Sequence, residues 1–210
     1  FMLQNLSWHY TPVTYASKMT RALCLLLLLC TEISLIFAKL PDVCPPIISK
    51  SQWGGRDSAK VQHIIIPLKY AIIHHTATPG CSDQAACSQK IVNMQSYHMD
   101  KLGFDDIGYN FLIGGDGNVY AGAGWHRQGA HTRGYNTKSI GIGFIGDYSS
   151  TPPSSKQIEA AKKLIECGVA LKELDERYKL LGARSVRPTE SPGTALYREI
   201  QNWRGFTTTP

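Results

Sequence analysis

Two rhythms of apolar and polar positions run along this chain, and each predicts a kind of element. The unbroken apolar run Tyr70–Ile73 suits a strand covered on both faces, and it delivers His74 and His75 at its C-terminal end. From Ile47 to Gly55 apolar residues alternate until a glycine pair turns the chain, with Trp53 packed inside. Ser82 or Asp83 caps a helix over about 83–101, on which Ile91, Met94, His98 and Lys101 or Leu102 recur at helical spacing. Tyr109 to Tyr120 reads as a hairpin around Gly115-Asp116-Gly117-Asn118, a turn rich in residues that accept positive φ.

Further along, Ser139 to Gly146 alternates Gly with Ile or Phe, which predicts a core strand whose glycines admit close neighbours. Ser154 and Gln157 form a capping-box pattern, and Ile158, Ala161, Leu164, Ile165, Gly168 and Leu171 continue it as a second helix. Tyr178–Gly182 predicts a short strand. Ser191 and Pro192 are expected to open a third helix as N-cap and first helical residue, with Leu196, Ile200 and Trp203 on one face. Strands interleaved with three helices indicate an α/β or α+β domain with a central mixed β-sheet flanked by the helices.

The N-terminal part changes the picture of where the protein works. Residues 1–18 carry no pattern and read as an upstream artefact or an unstructured stretch. From Met19 the order is that of a signal peptide: Arg21, the apolar run Ala22–Cys30, then Ala38 as a small residue suited to cleavage. Thr31, Glu32 and Ser34 interrupt the apolar stretch, well short of the ~20 residues of a spanning helix. The expectation is a secreted, extracellular protein with a single domain over 39–210. Without residues 1–38, the 22 basic and 16 acidic residues of the chain lose Lys18, Arg21 and Glu32, leaving 20 and 15 and a net charge of about +5. No Lys/Arg run accompanies that charge, which argues against nucleic acid as a partner and leaves an anionic microbial surface compatible.

Cys24 and Cys30 fall in the signal segment, so Cys44, Cys81, Cys87 and Cys167 remain in an oxidising compartment. An even count implies two disulfides in one of three connectivities. Cys81 and Cys87 are near enough to close a small loop at a helix start, which leaves Cys44 for Cys167. Their Cys-x5-Cys spacing is not that of a zinc knuckle. The one Asn-x-Ser/Thr sequon, at Asn5, lies ahead of the expected domain.

Seven stretches in order, Trp53-Gly-Gly, Ile73-His-His-Thr, Asp106-Ile-Gly-Tyr-Asn-Phe, Gly124-Trp, Gly129-Ala-His-Thr, Gly134-Tyr-Asn and Ser191-Pro-Gly, resemble the peptidoglycan recognition proteins. The resemblance spans about Cys44 to Trp203 and is closest to the short secreted insect form. It implies an amidase-like fold related to phage-type zinc amidases, which cut the bond between N-acetylmuramic acid and L-alanine. In amidase members zinc is held by a His after the first strand, a second His, and a Cys eight residues later. Those positions here read His74, Ala183 and Ser191. Alanine has no lone pair to give, and a serine hydroxyl stays protonated where a thiol would ionise against the metal.

The resemblance therefore implies no metal, no cofactor and no catalytic residue, and it leaves Tyr109, which matches a tyrosine that assists catalysis, without metal-bound water to act on. It also implies that His75, Thr76, His98, Gly103, Phe104, Tyr109, Ala123, His131 and Asn136 line a groove for muramyl peptide. Neutral donors and acceptors with some aromatic surface suit sugar acetamides and peptide amides. Gly103-Phe104 occupies the pair that often reads Asn-Phe in readers of lysine-type peptidoglycan and Gly-Trp in readers of the diaminopimelate type, and it takes one residue from each. The function implied is a secreted innate-immunity recognition protein that binds bacterial peptidoglycan and passes the signal to a downstream immune protein. The alternatives are a zinc amidase with a substitute ligand and a decoy that binds without signalling.

Overall fold

The computed structural model describes residues Val43–Pro210. The upstream stretch 1–18, the signal segment 19–38 and the Asn5 sequon lie outside the described residues. Six strands, β1 (Ile47–Ile48), β2 (Leu68–His75), β3 (Phe111–Ile113), β4 (Val119–Ala121), β5 (Ser139–Phe144) and β6 (Leu174–Gly182), form one sheet in the order β1-β4-β3-β5-β2-β6. Only β3 and β4 pair antiparallel, as the hairpin pattern predicted; β2, the apolar run, sits between β5 and β6 and is parallel to both. The mixed sheet is flanked, among the described residues, by α1 (Gln84–Asp100), α2 (Ser155–Ala170) and α3 (Thr194–Ile200).

Helix starts follow their local chemistry. Asp83 accepts the Ala86 N–H at the start of α1, and the Ser154/Gln157 box is present on both sides at α2. The third helix corrects the expectation. Ser191 is not its N-cap and Pro192 is not its first residue: α3 begins at Thr194 after Gly193, whose φ is 87°. The reason is a tie made outside the segment. The Tyr148 carbonyl accepts the Ala195 N–H at 3.0 Å, and a Cβ on residue 193 would come within 2.4 Å of that carbonyl. Trp203 lies beyond the end of α3 but still packs into the core.

Alternation along β2 separates two faces. Ala71 and Ile73, with Ile140, Ile142, Phe144 and Leu180 from the neighbouring strands, meet Ala161, Leu164 and Ile165 of α2 and Leu196 and Ile200 of α3 in the main core. Each large aliphatic side chain so buried contributes roughly 1.5–3 kcal/mol. On the opposite face α1 covers only the β3–β4 side, through Cys87 and Ile91 against Leu112, Tyr120 and Trp53. The remainder of that face is left for Ile72 and His74, and there β5 places Gly141 and Gly143 beside them. Disulfides join Cys44 to Cys167 and Cys81 to Cys87. The loop-closure model assigns about 5 kcal/mol to the long bridge and about 2 kcal/mol to the short one.

Candidate functional site

A groove of about 360 Å³ opens at the C-terminal ends of β2 and β5, lined by His74, His75, Ala77, Tyr109, His131, Arg187, Thr189, Glu190 and Ser191. Glycines make the room for it. A Cβ at Gly141 would lie 2.3 Å from Cγ of His131, and one at Gly143 would lie 3.1 Å from Cγ of Tyr109. The His131 and Tyr109 rings are therefore laid flat on the backbone of β5. The His74 ring stands between them, its centroid 5.4 Å from that of His131 and 5.5 Å from that of Tyr109.

Buried Thr132 binds both imidazoles. Its hydroxyl oxygen is 3.1 Å from Nε2 of His74 and 3.0 Å from Nδ1 of His131, while its backbone N–H donates to Oδ1 of Asn136 at 2.7 Å. Asn136 thus braces the loop that carries His131. His75, on the other face of β2, accepts the Tyr148 N–H at its Nδ1, and its own backbone N–H donates to the Ser191 hydroxyl oxygen at 3.1 Å. That bond is what Ser191 does in place of capping a helix. Ala183 is fully buried with Ile72 and Leu181, beside Tyr70, Tyr135 and Val186.

Burial holds the histidines and the tyrosine of the groove neutral. Burial, with His131, Arg187 and His75 adding to it, pulls His74 well below the ordinary imidazole value. Burial alone takes His131 down to about 3 and lowers His98. At His75 burial again lowers the pKa, partly opposed by Asp147. The Tyr109 hydroxyl is pushed up to about 12 by burial. At neutral pH the wall carries uncharged imidazoles and a protonated phenol, with Arg187 and Glu190 as the charged side chains of the lining.

Other residues expected here stand apart from that wall. His98, on α1 and outside the groove lining, lies 6.2 Å from Tyr109 and 5.4 Å from Phe104 between ring centroids, while its Nδ1 accepts the Gly108 N–H. Gly103 is exposed, with φ 69° and open space where a Cβ would be. Thr76 turns its hydroxyl to Gly146 and Thr78. Ala123 lines a different cavity, with Asp106 and Arg127. Within the Asp106–Phe111 motif only Tyr109 faces the groove. Asp106 is held by Lys50, Ser58 and Gln95, and the buried Asn110 amide joins Gly124 and Arg127 to Gly141. Four lining residues, Ala77, Arg187, Thr189 and Glu190, and the buried Thr132 fall outside the expected site residues. Thr132 was visible as the residue after His131 in the Gly-Ala-His-Thr stretch, whereas Arg187 had no signal beyond its charge.

Among the described residues no three His, Cys, Asp or Glu side chains stand together as a group that could hold a metal ion. Among the same residues, no helix is long and apolar enough to cross a membrane.

Comparison with known proteins now places the chain. The family model described as N-acetylmuramoyl-L-alanine amidase matches residues 66–194. Peptidoglycan-recognition protein 2 of Holotrichia diomphalia is 57% identical over 190 residues, 90% of this chain and 100% of that protein. The structure of bumblebee PGRP-SA superposes with a TM-score of 0.78 at 50% identity, over 80% of this chain and 100% of that one. A structure of tracheal cytotoxin bound to the ectodomain complex of peptidoglycan recognition proteins LCa and LCx matches with a TM-score of 0.76 at 45% identity, covering 77% of this chain and 98% of that one. With its mixed six-stranded sheet, two disulfides and groove, this chain belongs to the peptidoglycan-recognition protein family, within the N-acetylmuramoyl-L-alanine amidase fold.

Proposed function

We infer that this protein is a secreted recognition protein that binds bacterial peptidoglycan in the groove of His74, Tyr109 and His131 and does not cleave it. One observation carries the second half. The positions around His74 that the amidase chemistry requires are filled by a buried alanine, Ala183, and by Ser191, whose hydroxyl oxygen is engaged with the His75 N–H. A catalytic zinc takes about three protein ligands and keeps an open water position. These residues do not fit that ion. His131 is an imidazole packed against His74, yet its Nδ1 is held by Thr132 and no carboxylate joins the pair.

The binding half rests on chemistry as well as on kinship. A neutral wall of imidazoles, a phenol and hydroxyls suits acetamide and peptide groups better than ions. The LCa and LCx relatives hold tracheal cytotoxin. A domain over 39–210 with both disulfides closed, preceded by a signal-like segment, supports secretion. A downstream immune protein as the recipient of the signal completes the reading.

Sedimentation with washed insoluble peptidoglycan of the lysine and diaminopimelate types tests it. The parent protein is expected to pellet with at least one type, and Tyr109→Ala and His98→Ala to pellet less, by about tenfold in affinity if each removes one ring contact and one hydrogen bond. Binding by both variants equal to the parent's would show that a different surface is used.

A further inference from the structure

Thr132 has one hydroxyl hydrogen, and two imidazole nitrogens lie within hydrogen-bonding distance of its oxygen. Its side chain is buried, and no other partner for its hydroxyl exists among the described residues. If both rings donated to it, its own hydrogen would be stranded; if both rings waited to accept, one would be left empty. Either case leaves a buried polar group unmet, which is costly. The arrangement that satisfies all three groups has Thr132 donating to one ring and accepting from the other.

Two states meet that condition. When Thr132 donates to Nδ1 of His131, both rings carry their hydrogen on Nε2, so away from Thr132 His131 carries an N–H and His74 a lone pair on Nδ1. When Thr132 donates to Nε2 of His74, both rings carry it on Nδ1, so these roles exchange. One hydroxyl thus forces the two histidines into the same tautomer, and in both states the free nitrogens are one donor and one acceptor. The free Nε2 of His131 is a buried atom with no partner among the described residues, in a side chain that lines the groove. Nδ1 of His74 likewise meets no protein partner among the described residues. An orphan of this kind calls for a group supplied from outside.

The geometry points to a coupled tautomer relay, His74–Thr132–His131, that reads the amides of the ligand by offering one N–H to an amide carbonyl and one lone pair to an amide N–H. Because the relay can flip as a unit, the donor and acceptor roles of the two nitrogens can exchange. A carboxylate or an ester cannot satisfy the lone pair, so the relay discriminates against those groups, whereas amides satisfy both nitrogens. Thr132 acts as a positioning residue through the two rings. The inference rests on the groove being the ligand site, but the relay itself is a property of the free protein.

Imidazole 15N NMR on the full chain tests it, with muramyl dipeptide as the probe ligand. The free protein is expected to show His74 and His131 in the same tautomer, or with equal tautomer populations if the states exchange rapidly, and the probe is expected to shift both rings together. Thr132→Val should break that correlation and weaken the probe about tenfold, while Thr132→Ser should retain both. Opposite tautomers in the free parent protein would overturn the relay whether or not any variant folds. Folded Thr132→Val binding the probe as tightly as the parent would overturn the amide reading. A parent protein that fails to pellet with peptidoglycan while its tautomers stay matched would instead refute the proposed function and leave the relay standing.

Discussion

Gly141→Ala puts a methyl group where the His131 ring now lies. The new Cβ would sit 2.3–2.6 Å from Cγ, Cδ2 and Nδ1 of that ring, more than 1 Å inside the ~3.5–4.0 Å of ordinary carbon contact. Residue 141 pairs with Ile72 in β2, and its N–H donates to the Asn110 side chain, so the backbone is held from two directions and the ring must leave. Overpacking of this sort costs about 1–3 kcal/mol, and loss of the His131–Thr132 bond adds about 1 kcal/mol. The expected destabilisation is therefore about 2–4 kcal/mol in urea unfolding, with peptidoglycan binding lost as the ring is displaced. Gly143→Ala is the control, since its Cβ would lie 3.1–3.2 Å from the Tyr109 ring and needs only a small shift. It should cost about 1 kcal/mol or less and weaken binding rather than abolish it. Gly141→Ala with parental stability and binding would refute the argument that β5 glycines shape the groove.

Two further perturbations address the Asp106 hydrogen-bond cluster and the substituted positions Ala183 and Ser191. Burial alone would raise the Asp106 carboxyl, but hydrogen bonds from Lys50, Ser58, Gln95 and the Ile107 N–H outweigh it and hold the pKa below the ordinary carboxylate value. A depressed folded pKa means that its stabilisation is fully present above the unfolded value, about 4, and is lost as pH falls through the folded one. Asp106→Asn should lower stability at pH 7 by about 1–3 kcal/mol and flatten the acid limb of stability against pH in urea titrations; an unchanged limb would count against the cluster. Ala183→His together with Ser191→Cys restores the three ligand types with His74, at an overpacking cost of about 1–3 kcal/mol inside the Ile72–Leu181 cluster. Equilibrium dialysis should find about one zinc bound to the double variant and little to either single one, and zinc at 100 times its dissociation constant should return about 2.7 kcal/mol of stability. Equal zinc uptake by the parent would refute the assignment of these positions.

Legibility followed the range of each interaction. The β2 run, the hairpin and the Ser154/Gln157 box were readable because apolar pattern, turn residues and caps act within a few positions. β6 begins at Leu174 rather than Tyr178 because Asp175, Glu176 and Arg177 mask a strand whose opening pairing with Leu68 is offset by a register irregularity. The start of α3 depends on Tyr148, nearly fifty residues earlier in the chain and invisible to any local pattern. The site shows the same division. Glycine alternation in β5 foretold close neighbours but not that they would be His131 and Tyr109. Thr132 stands in the Gly129-Ala-His-Thr stretch, but its role appears only when His74, 58 residues away, is brought against it. Ser191 was readable as a cap by residue type, and the fold spends its hydroxyl on the His75 N–H instead.

The central claim is recognition without cleavage. Its most direct test is prolonged incubation of the disulfide-closed protein with purified peptidoglycan, with and without added zinc, followed by mass spectrometry of the soluble fraction for stem peptides beginning at L-alanine. The account predicts that the protein stays on the polymer and that no such peptide is released under either condition. Release of L-alanine-terminated stem peptides by the unsubstituted protein, abolished by a chelator, would contradict it.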